Sequence, residues 1–162
     1  MKLTETGYNF AKMISASALL TATKPNGQVN TMTVSWGGTG ILWGREVCFV
    51  FVRPERYTFD FCNEGDVMSL SFFGKERGDT LSFCGTKSGR DVDKLEHCGL
   101  KYSTVDGAVV YDDATVTITM KKLYAQDLDK DCFCTQVAEP FYHNGGYHRM
   151  FICQVLDVLA SN

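Results

Sequence analysis

The chain has no G-x-G-x-x-G, so it encodes no conventional dinucleotide-binding turn. It also has no Walker motif, no H-E-x-x-H and no G-x-S-x-G, which removes the common phosphate-loop, zinc-protease and serine-hydrolase signatures. No apolar run reaches the length needed to cross a bilayer, so no membrane role is expected. The N-terminal stretch from Met1 to Lys12 mixes Lys, Glu and Asn and lacks the apolar core of a signal peptide, from which a cytoplasmic location is expected. Cations are not in excess: 16 Lys and Arg face 19 Asp and Glu, a net charge of −3. Nucleic-acid binding needs a basic face, so no nucleic-acid partner is expected. Proline is scarce, at three residues, and the three histidines, His97, His143 and His148, are isolated in sequence. An isolated His is more often a structural hydrogen bonder than a catalyst, because histidine chemistry normally needs an orienting partner.

The seven cysteines are odd in number and fit neither a disulfide framework nor a zinc site. Cys132 and Cys134 form C-x-C, and Cys48, Cys62, Cys84 and Cys153 each sit in an apolar stretch. They read as small buried hydrophobes in a reducing compartment. A redox or metal role for Cys98, Cys132 and Cys134 is the competing reading; no metal ligand set is assigned.

What the sequence does contain is the ordinary composition of a single domain spanning 1–162, long enough to bury a core without staples. Fifteen glycines fall between short periodic segments, the pattern of many strands joined by tight turns. A strand is expected from Ile14 to Thr23, a hairpin turn at Pro25-Asn26-Gly27, and a return strand from Val29 to Trp36. In that strand Met32, Val34 and Trp36 face one way and Thr31, Thr33 and Ser35 the other. Gly37-Gly38-Thr39-Gly40 should break it. The continuous apolar run Val47 to Val52 reads as a strand covered on both faces.

Short helices are expected from Tyr57 to Asn63, from Asp79 to Cys84, and from a cap at Asp91 to Cys98, with Gly99 at the C′ position. Further strands are expected at Val67 to Phe73, Ala108 to Tyr111, Ala114 to Ala125 and Tyr147 to Leu159, with Glu139 to Gly146 a loop. Strands that do not alternate with long helices argue against a parallel sheet. A mainly β (α+β) Greek-key barrel with short helices at its rim fits better.

Three segments carry possible chemistry. Asn30-Thr31-Met32-Thr33-Val34-Ser35-Trp36 is either an edge strand with a solvated hydroxyl face or a strand whose backbone and hydroxyls meet a polar heterocycle. Arg53-Pro54-Glu55-Arg56-Tyr57-Thr58 stands at a helix start, where free N–H groups, two Arg and a Thr hydroxyl would suit a phosphate. Lys87-Ser88-Gly89-Arg90 places cations before another helix start. Each is also explicable as unremarkable surface.

Taken together, NTMTVSWGG at 30–38, RPERYT at 53–58, CGTKSGRDVDK at 84–94 and YHRMF at 147–151 resemble the flavin reductase-like, FMN-binding split-barrel family, in its flavoredoxin branch. The resemblance covers nearly the whole chain. It implies a split β-barrel and a homodimer with flavin mononucleotide (FMN) near the subunit interface. The strand matching Asn30, Thr31, Met32, Thr33, Val34, Ser35 and Trp36 would lie along the flavin ring, largely through its backbone. Arg53, Arg56, Tyr57 and Thr58 would hold the phosphate. Lys87, Ser88 and Arg90 would lie close to the flavin. The implied activity is oxidoreduction from NADH, NADPH or a redox protein through FMN to an acceptor. No catalytic side chain is implied. A non-enzymatic electron carrier and a flavin-free binding module remain the alternatives. One departure stands out: position 154 is Gln where the resemblance implies Glu, which puts in doubt any charge-based orientation of His148.

Overall fold

A computed structural model describes residues 1–161. Seven antiparallel strands form one curved sheet, built from β1 (Ala18–Thr23), β2 (Val29–Val34), β3 (Gly37–Leu42), β4 (Arg45–Val52), β5 (Val67–Phe72), β8 (Val116–Asp127) and β9 (Arg149–Ala160). Their order is β2-β1-β5-β8-β9-β4-β3. The edges are β2 and β3, strands consecutive in the chain, and the sheet stays open between them: a split barrel, as expected. A separate hairpin, β6 (Tyr102–Val105) and β7 (Ala108–Tyr111), lies outside it.

Alternation along each strand sorts side chains into two apolar layers. Leu20, Met32, Val50, Leu70, Ile118 and Phe151 belong to the barrel interior, which α1 (Phe10–Ser15) joins through Phe10 and Ile14. Leu19, on the opposite face of β1, packs with Cys84, Leu100, Val109 and Tyr111. This second layer is roofed by α3 (Gly78–Thr86), α4 (Lys94–His97) and the β6–β7 hairpin. Each large apolar side chain fully buried here contributes roughly 1.5–3 kcal/mol.

Several expectations are corrected by the structure. The strand expected from Ile14 begins only at Ala18, because Asn9 accepts from the Lys12 N–H (3.0 Å) and caps a helix over Phe10–Ser15. The glycine run 37–40 does not end pairing; it opens β3. A Cβ at Gly37, whose φ is +149°, would stand 2.4 Å from the Phe49 carbonyl oxygen, so only glycine lets β3 seat against β4. The cap of α4 is Asp93 rather than Asp91, its carboxylate accepting from the N–H groups of Leu95 and Glu96. The strand β6 and the short helix α5 (Glu139–Tyr142), inside the expected loop, carried too little pattern to be read. The apolar run in β4 is not covered on both faces, since Phe49 and Phe51 are half-exposed.

The hydroxyls of β2 face neither solvent nor an open groove. Thr31 Oγ1 meets Thr21 Oγ1 (3.0 Å) and donates to Leu20 O, and Thr21 Oγ1 meets the buried Tyr111 hydroxyl at 2.9 Å. Thr33 Oγ1 donates to Leu81 O at 2.5 Å under α3.

Cys48, Cys62, Cys84 and Cys153 are buried, Cys98 is half-buried, and Cys132 and Cys134 are exposed. Burial pushes the Cys48, Cys62 and Cys84 thiols up to about 12, far from the reactive thiolate. A thiol reagent added to native protein at pH 8 is expected to label Cys132 and Cys134 first and Cys98 more slowly. The four buried thiols should react only in denaturant. Rapid labelling of Cys48 or Cys153 in native protein would contradict this packing.

Candidate functional site

Two adjoining cavities lie beside the free edge of β2 and share Arg56. The larger, about 310 Å³, is lined by Met32 to Trp36, Phe51, Arg53, Arg56, Phe141 and His148. Because β2 is an edge strand, hydrogen-bonded only to β1, it presents unpaired backbone N–H and C=O groups on its outer side. Two residues beyond the end of β2 the Trp36 ring packs on Phe141 (centroids 5.1 Å apart) and on His148 (5.0 Å). A slot with backbone polarity on one side and aromatic rings on another suits a flat heterocycle.

His148, isolated in the sequence, is buried here, and its Nδ1 lies 2.6 Å from the Tyr142 hydroxyl. With Tyr142 donating, the imidazole is neutral and carries its proton on Nε2. Burial, reinforced by the Arg53 guanidinium, lowers the His148 pKa to about 4. Gln154 has no part in placing it. Six residues further along β9, roughly 20 Å away, Gln154 accepts from Arg45 at 3.3 Å.

The smaller cavity, about 170 Å³, is lined by Glu55 to Thr58, Thr86 to Gly89 and Lys94. Here α2 (Thr58–Glu64) begins, and the N–H groups of Tyr57 and Thr58 meet no acceptor among the described residues. Arg56 donates to Gly85 O (2.9 Å) and Cys84 O (3.2 Å), and the buried Lys94 ammonium donates to Cys84 O (3.0 Å) and Thr31 O (2.9 Å). The last carbonyls of α3, which have no intrahelical donor, are thereby capped by two cations. Thr58 Oγ1 accepts from Asn30 Nδ2 at 2.8 Å, leaving its own proton free to donate. Gly89 lets the loop close over this point, since a Cβ there would stand 2.2 Å from Asn30 Oδ1. The Glu55 carboxylate packs against Gly146 instead. Three cations and two hydroxyls, Thr58 and Ser88, surround a space of anion size.

The residues singled out from sequence are only partly brought together. Thr33, Val34, Ser35 and Trp36 line the larger cavity, and Arg56, Tyr57, Thr58, Lys87 and Ser88 the smaller. Arg53 lines the larger cavity, its guanidinium bonded to Phe141 O (2.8 Å) and Gly146 O and set over the Tyr142 ring. Arg90 is exposed, lies over the Tyr57 ring and donates to Glu55 O, outside both cavities. Asn30 and Thr31 are buried beneath the site. His148, Phe141 and Lys94 were not named as site residues; Lys94 falls inside CGTKSGRDVDK, but no local pattern marks a lysine for burial.

Among proteins of curated function none matches the chain. Solved structures do. An FMN-binding protein from Thermus thermophilus with bound p-hydroxybenzaldehyde superposes with a TM-score of 0.71 at 19% identity, over 90% of this chain and 71% of that one. Flavoredoxin from Methanosarcina acetivorans gives 0.71 at 15% identity, over 90% and 69%. The styrene monooxygenase flavin reductase from Pseudomonas putida S12 gives 0.66 at 15% identity, over 90% and 79%. These likenesses speak to the fold. Residues 10–162 match the flavin reductase like domain, and with nearly the whole chain so matched, the protein belongs to the flavin reductase-like family.

Proposed function

We propose that the chain binds one FMN, with the isoalloxazine ring in the larger cavity and the phosphate in the smaller, and works as an oxidoreductase. The observation that carries this reading is the junction at Arg56 of an aromatic-walled slot and a cation-lined anion pocket. FMN has the same two parts, a flat ring and a phosphate, joined by a ribityl chain. Bound FMN would supply the redox chemistry, taking a hydride from NADH or NADPH, or electrons from a redox protein, and passing them to an acceptor.

The chain's own residues would bind, orient and shield. The free edge of β2 from Thr33 to Trp36 offers fixed backbone dipoles to the ring heteroatoms. Trp36 and Phe141, packed edge to face, offer aromatic surface to the ring on that side. A neutral His148 offers an N–H donor without placing a cation beside the ring. Arg56, Lys87, Lys94 and the Ser88 and Thr58 hydroxyls hold the phosphate. Asn30, Thr31 and Arg90 support this frame, and Arg53 fixes the segment that carries Phe141.

The purified protein, incubated with FMN and desalted, is expected to retain flavin absorbance at one flavin per chain. Arg56→Ala should weaken FMN by about tenfold to a hundredfold, the loss of one charge-assisted hydrogen bond. Riboflavin, which lacks the phosphate, should be affected far less. Equal losses for both ligands would move the phosphate elsewhere. Steady consumption of NADH or NADPH marks a reductase; a flavin that is reduced only by a protein donor marks an electron carrier.

The histidine yields a second expectation. Its folded pKa lies below its unfolded value, so protonation favours the unfolded state. The stability His148 contributes is fully present above about pH 6.5 and is lost as pH falls toward 4. Its imidazole resonances should not move between pH 5.5 and 8. Titration near pH 6.5 would show an open, solvated ring.

A homodimer is also part of this reading. Ile41, Trp43, Leu123, Tyr124 and Leu156 expose apolar surface around the β3–β4 turn and the adjoining parts of β8 and β9. Such a patch is typical of an interface. Light scattering should report twice the 18.1 kDa chain mass, and Trp43→Glu with Ile41→Glu should shift the particle toward monomer.

A further inference from the structure

A buried lysine normally sits beside a carboxylate, because an isolated ammonium in a protein interior is costly. Lys94 does not. It is 2% exposed, the only buried Lys or Arg among the described residues. Two of its three N–H donors go to the carbonyls of Thr31 and Cys84. No carboxylate forms an ion pair with it among the described residues.

The groups facing it from the elements around it make its situation worse. Arg56, at the start of α2, shares the Cys84 carbonyl, and Lys87, after α3, lines the same cavity. Glu55 turns its carboxylate to Gly146. Asp93, next in the chain, spends its carboxylate on the cap of α4. From α3 the Cys84 thiol is held neutral by burial, and from the end of α4 comes Cys98. Burial lowers the Lys94 pKa to about 8, with Cys84 and Cys98 opposing the shift and Arg56 adding to it. Yet Lys94 lines a cavity of anion size.

We infer that Lys94 is completed by the flavin phosphate, and that FMN binding is coupled to proton uptake at Lys94 Nζ. This rests on the FMN reading above and deepens it. A phosphate beside Nζ stabilises the ammonium, so the bound state holds the proton to higher pH than the free state. Linkage then fixes the sign. FMN affinity is greatest while free Lys94 is protonated, below about pH 8, and falls as pH rises through that value, because binding must then bring a proton with it. The slope approaches tenfold per pH unit. The phosphate is a dianion above about pH 7, so it does not itself titrate in this window. Ring ionisation is common to FMN and riboflavin and cancels in their ratio.

The test titrates FMN and riboflavin against the full chain by flavin fluorescence from pH 6.5 to 9.5. The FMN dissociation constant should be level to about pH 8 and then rise nearly tenfold per unit, while riboflavin stays level. Calorimetry at pH 9 in two buffers of different ionisation enthalpy should show uptake of nearly one proton per FMN and none per riboflavin; this needs no variant. Lys94→Arg, which cannot lose its proton, should abolish the pH dependence while keeping a preference for FMN. Lys94→Met should weaken FMN by about tenfold to a hundredfold, leave riboflavin unchanged and likewise remove the pH dependence, with Arg56 and Lys87 still holding the phosphate.

Parallel curves for the two ligands in the native chain, or an unchanged slope in Lys94→Arg, would overturn the coupling while leaving FMN binding intact. If neither flavin binds at any pH, the FMN reading fails and this inference with it.

Discussion

The C-terminal carbonyls of α3 hold the site together. A nine-residue helix ends at Thr86 with orphan acceptors, and two cations from different parts of the chain meet them. Arg56 comes from the turn before α2, and Lys94 from α4; Lys94 also reaches back to the edge of β2 through Thr31 O. Arg56 and Lys94 thus meet at the Cys84 carbonyl of α3, and Lys94 ties β2 to the same point. Both cavities depend on that convergence, because Arg56 lines each of them. Hydrogen bonds between a cation and a carbonyl contribute more than neutral ones, but here two desolvated cations sit together without a carboxylate. The arrangement is a strained electrostatic frame that an anion would relax.

The larger cavity follows the opposite logic. Its charge is confined to Arg56, which it shares with the smaller cavity, and to an Arg53 guanidinium taken up by two carbonyls and the Tyr142 ring; His148 is neutral, and the other walls are aromatic, aliphatic or small polar residues. An environment without a nearby titrating group leaves the electronic properties of a bound ring to fixed dipoles. The two cavities therefore divide the work, charge at one end and neutral polarity at the other, and the division matches the two halves of a nucleotide-like ligand.

The barrel was legible in the sequence because its strands alternate in the way a two-layer structure requires. The β1–β2 hairpin, β5, β8 and β9 follow from period-two patterning and Asn26-Gly27. What escaped has local causes. Phe10–Ser15 is too short and too apolar for periodicity to separate helix from strand. Gly37–Gly40 looks like a break because glycine weakens strands in general, whereas here the close Phe49 carbonyl requires it. The Arg-rich turn at 53–56 reads as a phosphate site from its position at a helix start, yet local sequence does not divide its two arginines. One caps a helix at the smaller cavity, and the other braces the 139–146 segment. His148 and Lys94 were invisible as site residues because their character comes from burial and from partners distant in sequence, Tyr142 apart.

The alternating hydroxyls of β2 show how a correct pattern can carry a different meaning. Thr31 and Thr33 do not greet a ligand; their hydroxyls are satisfied inside the second layer by Thr21, Leu20 and Leu81. Small hydroxylated residues there let α3 press close, with Gly85 against Thr33, and so bring the loop after α3 within reach of Asn30 and Tyr57. With its side chains committed to the barrel interior and to the roof, β2 has only its backbone edge left to offer. An unpaired edge is usually a hazard that proteins cover or charge. Here it is flanked by Trp36 on one side and tied by Lys94 on the other, which keeps another strand from adding to it. The same constraint that protects the edge makes it a rigid row of donors and acceptors, and a heterocycle with polar atoms along one side is the ligand such a row can read.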